Sequence, residues 1–220
     1  MQQSLRYVCI TTIELKKMTA NVDYYFSLTS PWSYLGHERF LKIVADANAV
    51  ITPFEVSYRG TIFAATGGLP VNKRAPERQA YRLQELARWR DYLGVDLNVH
   101  PKHWPTDETI AANMLVVLRE NNSIQAALQF GGLVMKGVWS EDRDIADTTT
   151  LIDMANESGH DGNELLMEAS EPKWAELRQA QSDAAVEHGV FGAPSYCVED
   201  QMYWGQDRLD FVQRHLHRIS

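Results

Sequence analysis

From Val22 onward, apolar and polar positions begin to alternate. Val22, Tyr24, Phe26 and Leu28 interleave with Asp23, Tyr25 and Ser27, the period-two pattern of a strand with one buried face. Ser30-Pro31-Trp32-Ser33 breaks the alternation. Beyond it Phe40, Ile43, Val44 and Ala47 recur at helical spacing, so a helix begins near Ser33. Ser30 or Ser33 can cap it, and Pro31 fits its first turn. Val50 to Tyr58 is rich in β-formers and predicts a second strand. Strand, helix and strand form a βαβ unit with parallel strands.

Residues 59–75 are rich in Gly, Thr and Pro and predict a loop. From Pro76 to about Ser182 the patterns are helical only. Leu83, Leu86, Ala87 and Leu93 share one face; Thr106 is placed to cap a helix carrying Ile110, Met114, Leu115 and Leu118. Asp147 caps another with Leu151, Ile152 and Ala155, and Pro172 sits in the first turn of one carrying Trp174 and Leu177. β pattern returns after Gly192-Ala193-Pro194. Ser195 to Glu199 is a short strand, Asp200-Gln201 turns it, and Met202 to Trp204 is its partner. A last helix carries Leu209, Val212, Leu216 and Ile219. The expected architecture is α/β, one domain split by an all-helical insertion. Residues 21–75 and 183–220 are its two parts, 76–182 the insertion, and 1–20 a loosely held extension in which Met18 is a second candidate start.

Composition narrows the function classes. The formal charge of −8 argues against nucleic acid as a partner, because a phosphate binder needs a basic face. A local basic pocket for a small anion remains compatible with it. No uncharged apolar run reaches the ~18 residues of a membrane span. The short run Tyr7 to Ile10, followed by Glu14, Lys16 and Lys17, is a poor signal peptide. The two cysteines, Cys9 and Cys197, form no Cys-x-x-Cys pair, which suits a reducing compartment. A cytoplasmic protein without membrane or nucleic-acid partners is expected.

Three junctions carry candidate chemistry. Thr29-Ser30-Pro31-Trp32-Ser33-Tyr34-Leu35 joins a strand to a helix N-terminus, where free N–H groups and a partial positive charge stabilise anions, a thiolate included. Serines cannot cycle between dithiol and disulfide, so disulfide exchange is excluded at this motif. A hydroxyl donor at a positive helix end suits a thiolate brought by a bound thiol such as glutathione. Taken alone, an ordinary N-cap is the commoner role for Ser30. Val190-Phe191-Gly192-Ala193-Pro194-Ser195 places a proline at a strand start, where a cis bond turns backbone groups toward a ligand; alone, Gly-Ala-Pro is usually a turn. Trp204-Gly205-Gln206-Asp207-Arg208-Leu209 again ends a strand and starts a helix. Its N–H groups and the Asp207 carboxylate suit the ends of a zwitterionic peptide, against the simpler reading of an Asp207 cap paired with Arg208.

The order and spacing of these motifs over roughly residues 21–217 resemble the 2-hydroxychromene-2-carboxylate isomerases and the related kappa-class glutathione transferases, DsbA-like members of the thioredoxin superfamily. The middle of the chain matches as well, through Pro70-Val71-Asn72-Lys73, Tyr81, Glu85-Leu86-Ala87-Arg88-Trp89, Leu93-Gly94, Pro101 and Pro105. The resemblance implies a thioredoxin-like fold with an inserted helical domain, glutathione as cofactor, and a homodimer. It implies Ser30 as the catalytic serine, with its hydroxyl on the glutathione sulfur. Ser30, Ala193, Pro194, Trp204, Gly205, Gln206 and Asp207 become the glutathione site, and Asn72, Lys73 and Trp104 the substrate site, with Lys73 suited to a carboxylate. No metal is implied.

The implied reaction is isomerisation of 2-hydroxychromene-2-carboxylate to trans-o-hydroxybenzylidenepyruvate through reversible thiolate addition. One departure bears on the substrate. The isomerases carry a further basic residue between the second strand and the Asn-Lys pair, whereas Gly60 to Thr66 has none and only Arg59 precedes it. A kappa-like transferase or peroxidase acting on other electrophiles, and a redox-inactive DsbA-like binding protein, are the competing readings.

Other signals read as structural. His100 and His103 are too few for a metal site. His37 reads as a surface residue, Cys197 as a buried core thiol, and Trp89, Trp139 and Trp174 as core packing.

Overall fold

The computed structural model describes residues 19–219, so Cys9 and nearly all of the expected 1–20 extension lie outside the described residues. Strand β1 (Asn21–Phe26), helix α1 (Pro31–Asp46) and strand β2 (Val50–Glu55) open the fold. β1 and β2 pair in parallel, as the βαβ pattern requires. Strands β3 (Ser195–Val198) and β4 (Gln201–Trp204) complete a sheet of order β2-β1-β3-β4, with β3 antiparallel to both neighbours. Pro53 is tolerated in β2 because β2 is an edge. Arg119 Nη1 donates to the Pro53 carbonyl at 2.9 Å and covers part of that edge.

Between β2 and β3 lie helices α2 (Phe63–Thr66), α3 (Pro76–Leu93), α4 (Thr109–Asn121), α5 (Ile124–Trp139), α6 (Thr148–Glu157), α7 (Gly162–Ala169) and α8 (Pro172–Glu187), and α9 (Leu209–Ile219) closes the chain. The buried faces of α4, α5 and α6 join Tyr24, Phe26, Phe40 and Tyr196 in one apolar cluster. Tyr24 stacks between Phe26 and Tyr196 at centroid distances of 4.5 and 5.4 Å. α1 crosses this core close to the start of α9. A Cβ on Gly36 would stand 2.7 Å from Gln206 Cβ and 2.9 Å from the Tyr196 hydroxyl, so glycine sets that approach.

Several expectations shift. The second strand stops at Glu55 rather than Tyr58, because Ser57 N–H turns to Ser182 Oγ on α8 at 2.9 Å. The expected 59–75 loop is partly wound, with a π-turn at Tyr58–Ile62, the short α2, and a 3-10 turn at Val71–Lys73. Thr106 does not cap a helix. α4 starts at Thr109, and Glu108 occupies the cap position with its carboxylate drawn away toward β1. Asp147 and the first-turn Pro172 stand where the pattern put them.

His37 is 2 % exposed rather than on the surface. Its Nε2 donates to the Leu128 carbonyl at 3.1 Å, which leaves Nδ1 to accept from the Tyr24 hydroxyl at 3.3 Å. Burial lowers its pKa to about 4, against the opposing effect of the Leu128 carbonyl. Cys197 is half-buried rather than a core thiol, and burial, then Asp23, pushes it up to about 11.

Candidate active site

The strand register brings the three junctions to one end of the sheet. Tyr25 faces Ser195, and Ser195 faces Trp204. The residues after β1, before β3 and after β4 therefore leave the sheet at the same edge of the fold.

Ser30 is the N-cap of α1, with extended backbone at φ −88° and ψ 118°. Its Oγ accepts from Ser33 N–H at 3.2 Å. Accepting leaves the hydroxyl proton unused, and no hydrogen bond donated by Ser30 is found among the described residues. Pro31 has no N–H, and Trp32 N–H finds no protein acceptor among the described residues. The helix end thus presents an unpaired N–H beside a free O–H donor, in the field of the α1 dipole.

The residue before Ser30 is held at both ends. Thr29 N–H and Thr29 Oγ1 donate to Glu108 Oε2 at 3.0 and 2.9 Å, and Ser27 Oγ donates to the same oxygen at 2.8 Å. The Thr29 carbonyl accepts from Trp104 Nε1 at 3.2 Å. Behind Glu108, Arg178 makes a bidentate pair with Glu55 at 2.5 and 3.2 Å and lies 3.5 Å from Glu108 Oε1. Burial pushes the Glu55 carboxyl up to about 8 while Arg178 pulls it back and Glu108 adds to the rise. Burial works against the charge on Arg178, but Glu55 and Glu108 together hold its pKa above the ordinary value.

The Ala193–Pro194 bond is cis. Gly205 N–H donates to the Pro194 carbonyl at 2.8 Å, tying the second junction to the third. Gly205 has φ +102°, a conformation open to glycine. Phe191 and Trp204, both exposed, meet edge to face at 4.9 Å beside this bend. Gln206 is 2 % exposed and its amide has no partner among the described residues, so its side chain faces the interior rather than the cleft. Asp207 is exposed and pairs with Arg208 at 2.8 Å.

Trp104 is half-buried against the Ser30 loop, whereas Asn72 and Lys73 are exposed on their 3-10 turn with no side-chain hydrogen bond among the described residues. The Trp104–Pro105 bond is also cis. Sequence reasoning missed Glu108, Arg178, Glu55 and Arg82. The Arg82 guanidinium lies 4.9 Å from the Trp104 ring centroid and 5.9 Å from that of Trp139. A signal for Arg82 existed: it stands one turn before Leu86 on the apolar side of α3.

Comparison with known proteins agrees with the fold. A family model described as a DSBA-like thioredoxin domain matches residues 21–217. The chain is 28% identical over 200 residues to a 2-hydroxychromene-2-carboxylate isomerase of Sphingobium xenophagum, covering 90% of this chain and 99% of that one. It is 23% identical over 214 residues to the human glutathione S-transferase kappa 1, covering 87% and 88%. A solved structure of a 2-hydroxychromene-2-carboxylate isomerase superposes with a TM-score of 0.78 at 24% identity, over 90% of this chain and 95% of that one. Among the described residues no helix is long and apolar enough to cross a membrane. A thioredoxin-like α/β fold with a serine where the redox pair would stand, matched by the family model along almost its whole length, places this chain in the DSBA-like thioredoxin domain family.

Proposed function

We propose that the chain is a glutathione-dependent isomerase acting on 2-hydroxychromene-2-carboxylate or a similar conjugated aromatic carboxylate. The carrying observation is the state of Ser30: its oxygen caps α1 while its proton stays free to be donated. That donor set fits a thiolate, because a hydrogen bond and a positive helix end both favour the charged form. The relatives' names point the same way.

Bound glutathione would supply a thiolate that adds reversibly to a conjugated carbon, so that a former double bond can rotate before the thiolate leaves. The protein's own part is positional and electrostatic. Ser30 Oγ would donate to the sulfur, Trp32 N–H would add a second donor, and the α1 dipole would favour the anion. The backbone of Ala193 and the Gly205 to Asp207 turn hold the peptide ends; at Gln206 the main chain does this, since its amide is turned inward. Trp104 forms an apolar wall beside Thr29.

A kappa-like transferase using the same thiolate on other electrophiles is the second reading. It is favoured by Gly60 to Thr66, which carries no basic side chain, and by Lys73, exposed and without a side-chain hydrogen bond among the described residues. Calorimetric titration with glutathione, wild type against Ser30→Ala, followed by addition of 2-hydroxychromene-2-carboxylate, tests both. Chromene turnover that collapses in Ser30→Ala supports the isomerase. Glutathione binding without chromene turnover moves the assignment to the transferase or to a receptor. Absence of glutathione binding ends the proposal.

A further inference from the structure

Arg82 is 9 % exposed, and no salt bridge or hydrogen bond reaches it among the described residues. Its Nη2 is closed off from solvent with no partner. Aromatic rings and a second cation stand beside it. The Trp104 and Trp139 rings lie against the guanidinium, and Arg74 stands close enough to disfavour its charge. Burial first, then Arg74, lowers its pKa to about 10, so the cation persists at neutral pH.

A guanidinium largely out of water, one nitrogen closed off and no carboxylate beside it among the described residues, is an unbalanced charge, and contact with indole faces offsets only part of the cost. Elsewhere the same fold obeys the usual rule: the buried Arg178 has both Glu55 and Glu108. Arg82 is therefore an exception with a location. The Trp104 indole that it covers donates from Nε1 to the Thr29 carbonyl, next to Ser30. One indole separates the unpaired cation from the loop carrying the reactive donor.

We infer that Arg82, seated on Trp104, is the receptor for the carboxylate of a planar conjugated acid, and that it rather than Lys73 selects acids over neutral analogues. The inference rests on the proposed site at Ser30 and deepens it by naming the group that sets substrate class. An arginine fork matches a carboxylate, and Trp104 supplies the apolar surface for the attached ring. Lys73, exposed on its turn, offers a charge already screened by water.

The test uses the full chain without glutathione, so that it stands apart from the thiolate reading. trans-2-Hydroxycinnamate and its neutral amide are titrated by calorimetry into wild type, Arg82→Met, Arg82→Lys and Lys73→Met. The indole Nε1–H signal of Trp104, identified by its loss in Trp104→Phe, is followed by NMR. Wild type is expected to bind the acid at least about tenfold more tightly than the amide, with the Trp104 signal shifting. Arg82→Met should bring the acid down to the affinity of the amide, Arg82→Lys should keep part of the preference, and Lys73→Met should keep it all. An acid preference that survives Arg82→Met, or one lost in Lys73→Met instead, overturns the inference. If Arg82→Met does not fold, the wild-type ratio and Arg82→Lys decide. Equal affinity for acid and amide in wild type, or an acid preference unchanged in Arg82→Lys, overturns it. Acid selectivity without glutathione binding would leave this inference standing and end only the glutathione reading.

Discussion

Glu108 Oε2 accepts the backbone N–H of Thr29 at 3.0 Å, so a carboxylate from the entrance to α4 fixes the residue directly before Ser30. The same oxygen takes two hydroxyls, and Arg178 balances the charge from behind. The arrangement couples the helical segment to the start of α1. Replacement of Glu108 by Gln should cost about 2 kcal/mol in urea unfolding, from weaker hydrogen bonds to a neutral acceptor and a lost ion pair. With glutathione and substrate present, kcat should fall roughly tenfold or more while KM moves less, because orientation at the reacting atom is what slackens. Unchanged kinetics with lowered stability would make Glu108 a purely structural strut.

Ser30 caps α1, and substitutions can separate that cap from the thiolate-binding role proposed for it. Ser30→Ala removes the cap on Ser33 N–H and should lower unfolding free energy by about 1 kcal/mol. Ser30→Cys places a thiol at the same helix end, and its alkylation by iodoacetamide should reach half-maximal rate well below the pH of a free cysteine. Cys197 serves as the internal control, since its pKa is pushed up to about 11. An alkylation profile at position 30 like that of a free thiol would mean that the helix end does not favour anions.

His37 predicts a pH dependence of definite sign. Its folded pKa is about 4, against 6.5 for the ordinary side chain. The unfolded chain binds the extra proton first as pH falls. The neutral His37 contribution is thus fully present above pH 6.5 and is lost between 6.5 and 4. Compared with His37→Gln, which can still donate to Leu128 and accept from Tyr24, wild type should lose on the order of 3 kcal/mol across that window. Urea melts at several pH values check this, and parallel curves for the two proteins would rule it out.

Gly36 predicts a packing cost. A methyl there meets Gln206 Cβ at 2.7 Å, so Gly36→Ala should destabilise by about 2 kcal/mol despite the better helix propensity of alanine. The opposite sign in a thermal melt would mean that α1 and the Gln206 turn separate freely.

Much of this architecture could be read from local pattern. The period-two run through Phe26, the helical spacing behind Ser30 and the return of β pattern after Pro194 each depend on near neighbours. So do the caps at Asp147 and Ser30, where a side chain bonds an N–H three residues on. Boundaries failed where a distant partner intervened: Ser182 ended β2 early, and the pull of Ser27 and Thr29 on Glu108 displaced the helix start expected at Thr106.

The sequence by itself determined the order of elements, the serine in place of a redox pair and the junction motifs, because these are matters of spacing along the chain. Only the tertiary structure decided what surrounds them. Arg178 reaches Glu55 across 123 positions, His37 is buried by α5, and Arg82 sits on Trp104 with no counter-ion among the described residues. Such pairings set charge and burial through space. A one-dimensional pattern records that an arginine lies on an apolar face, while only the folded chain shows whether a carboxylate waits there.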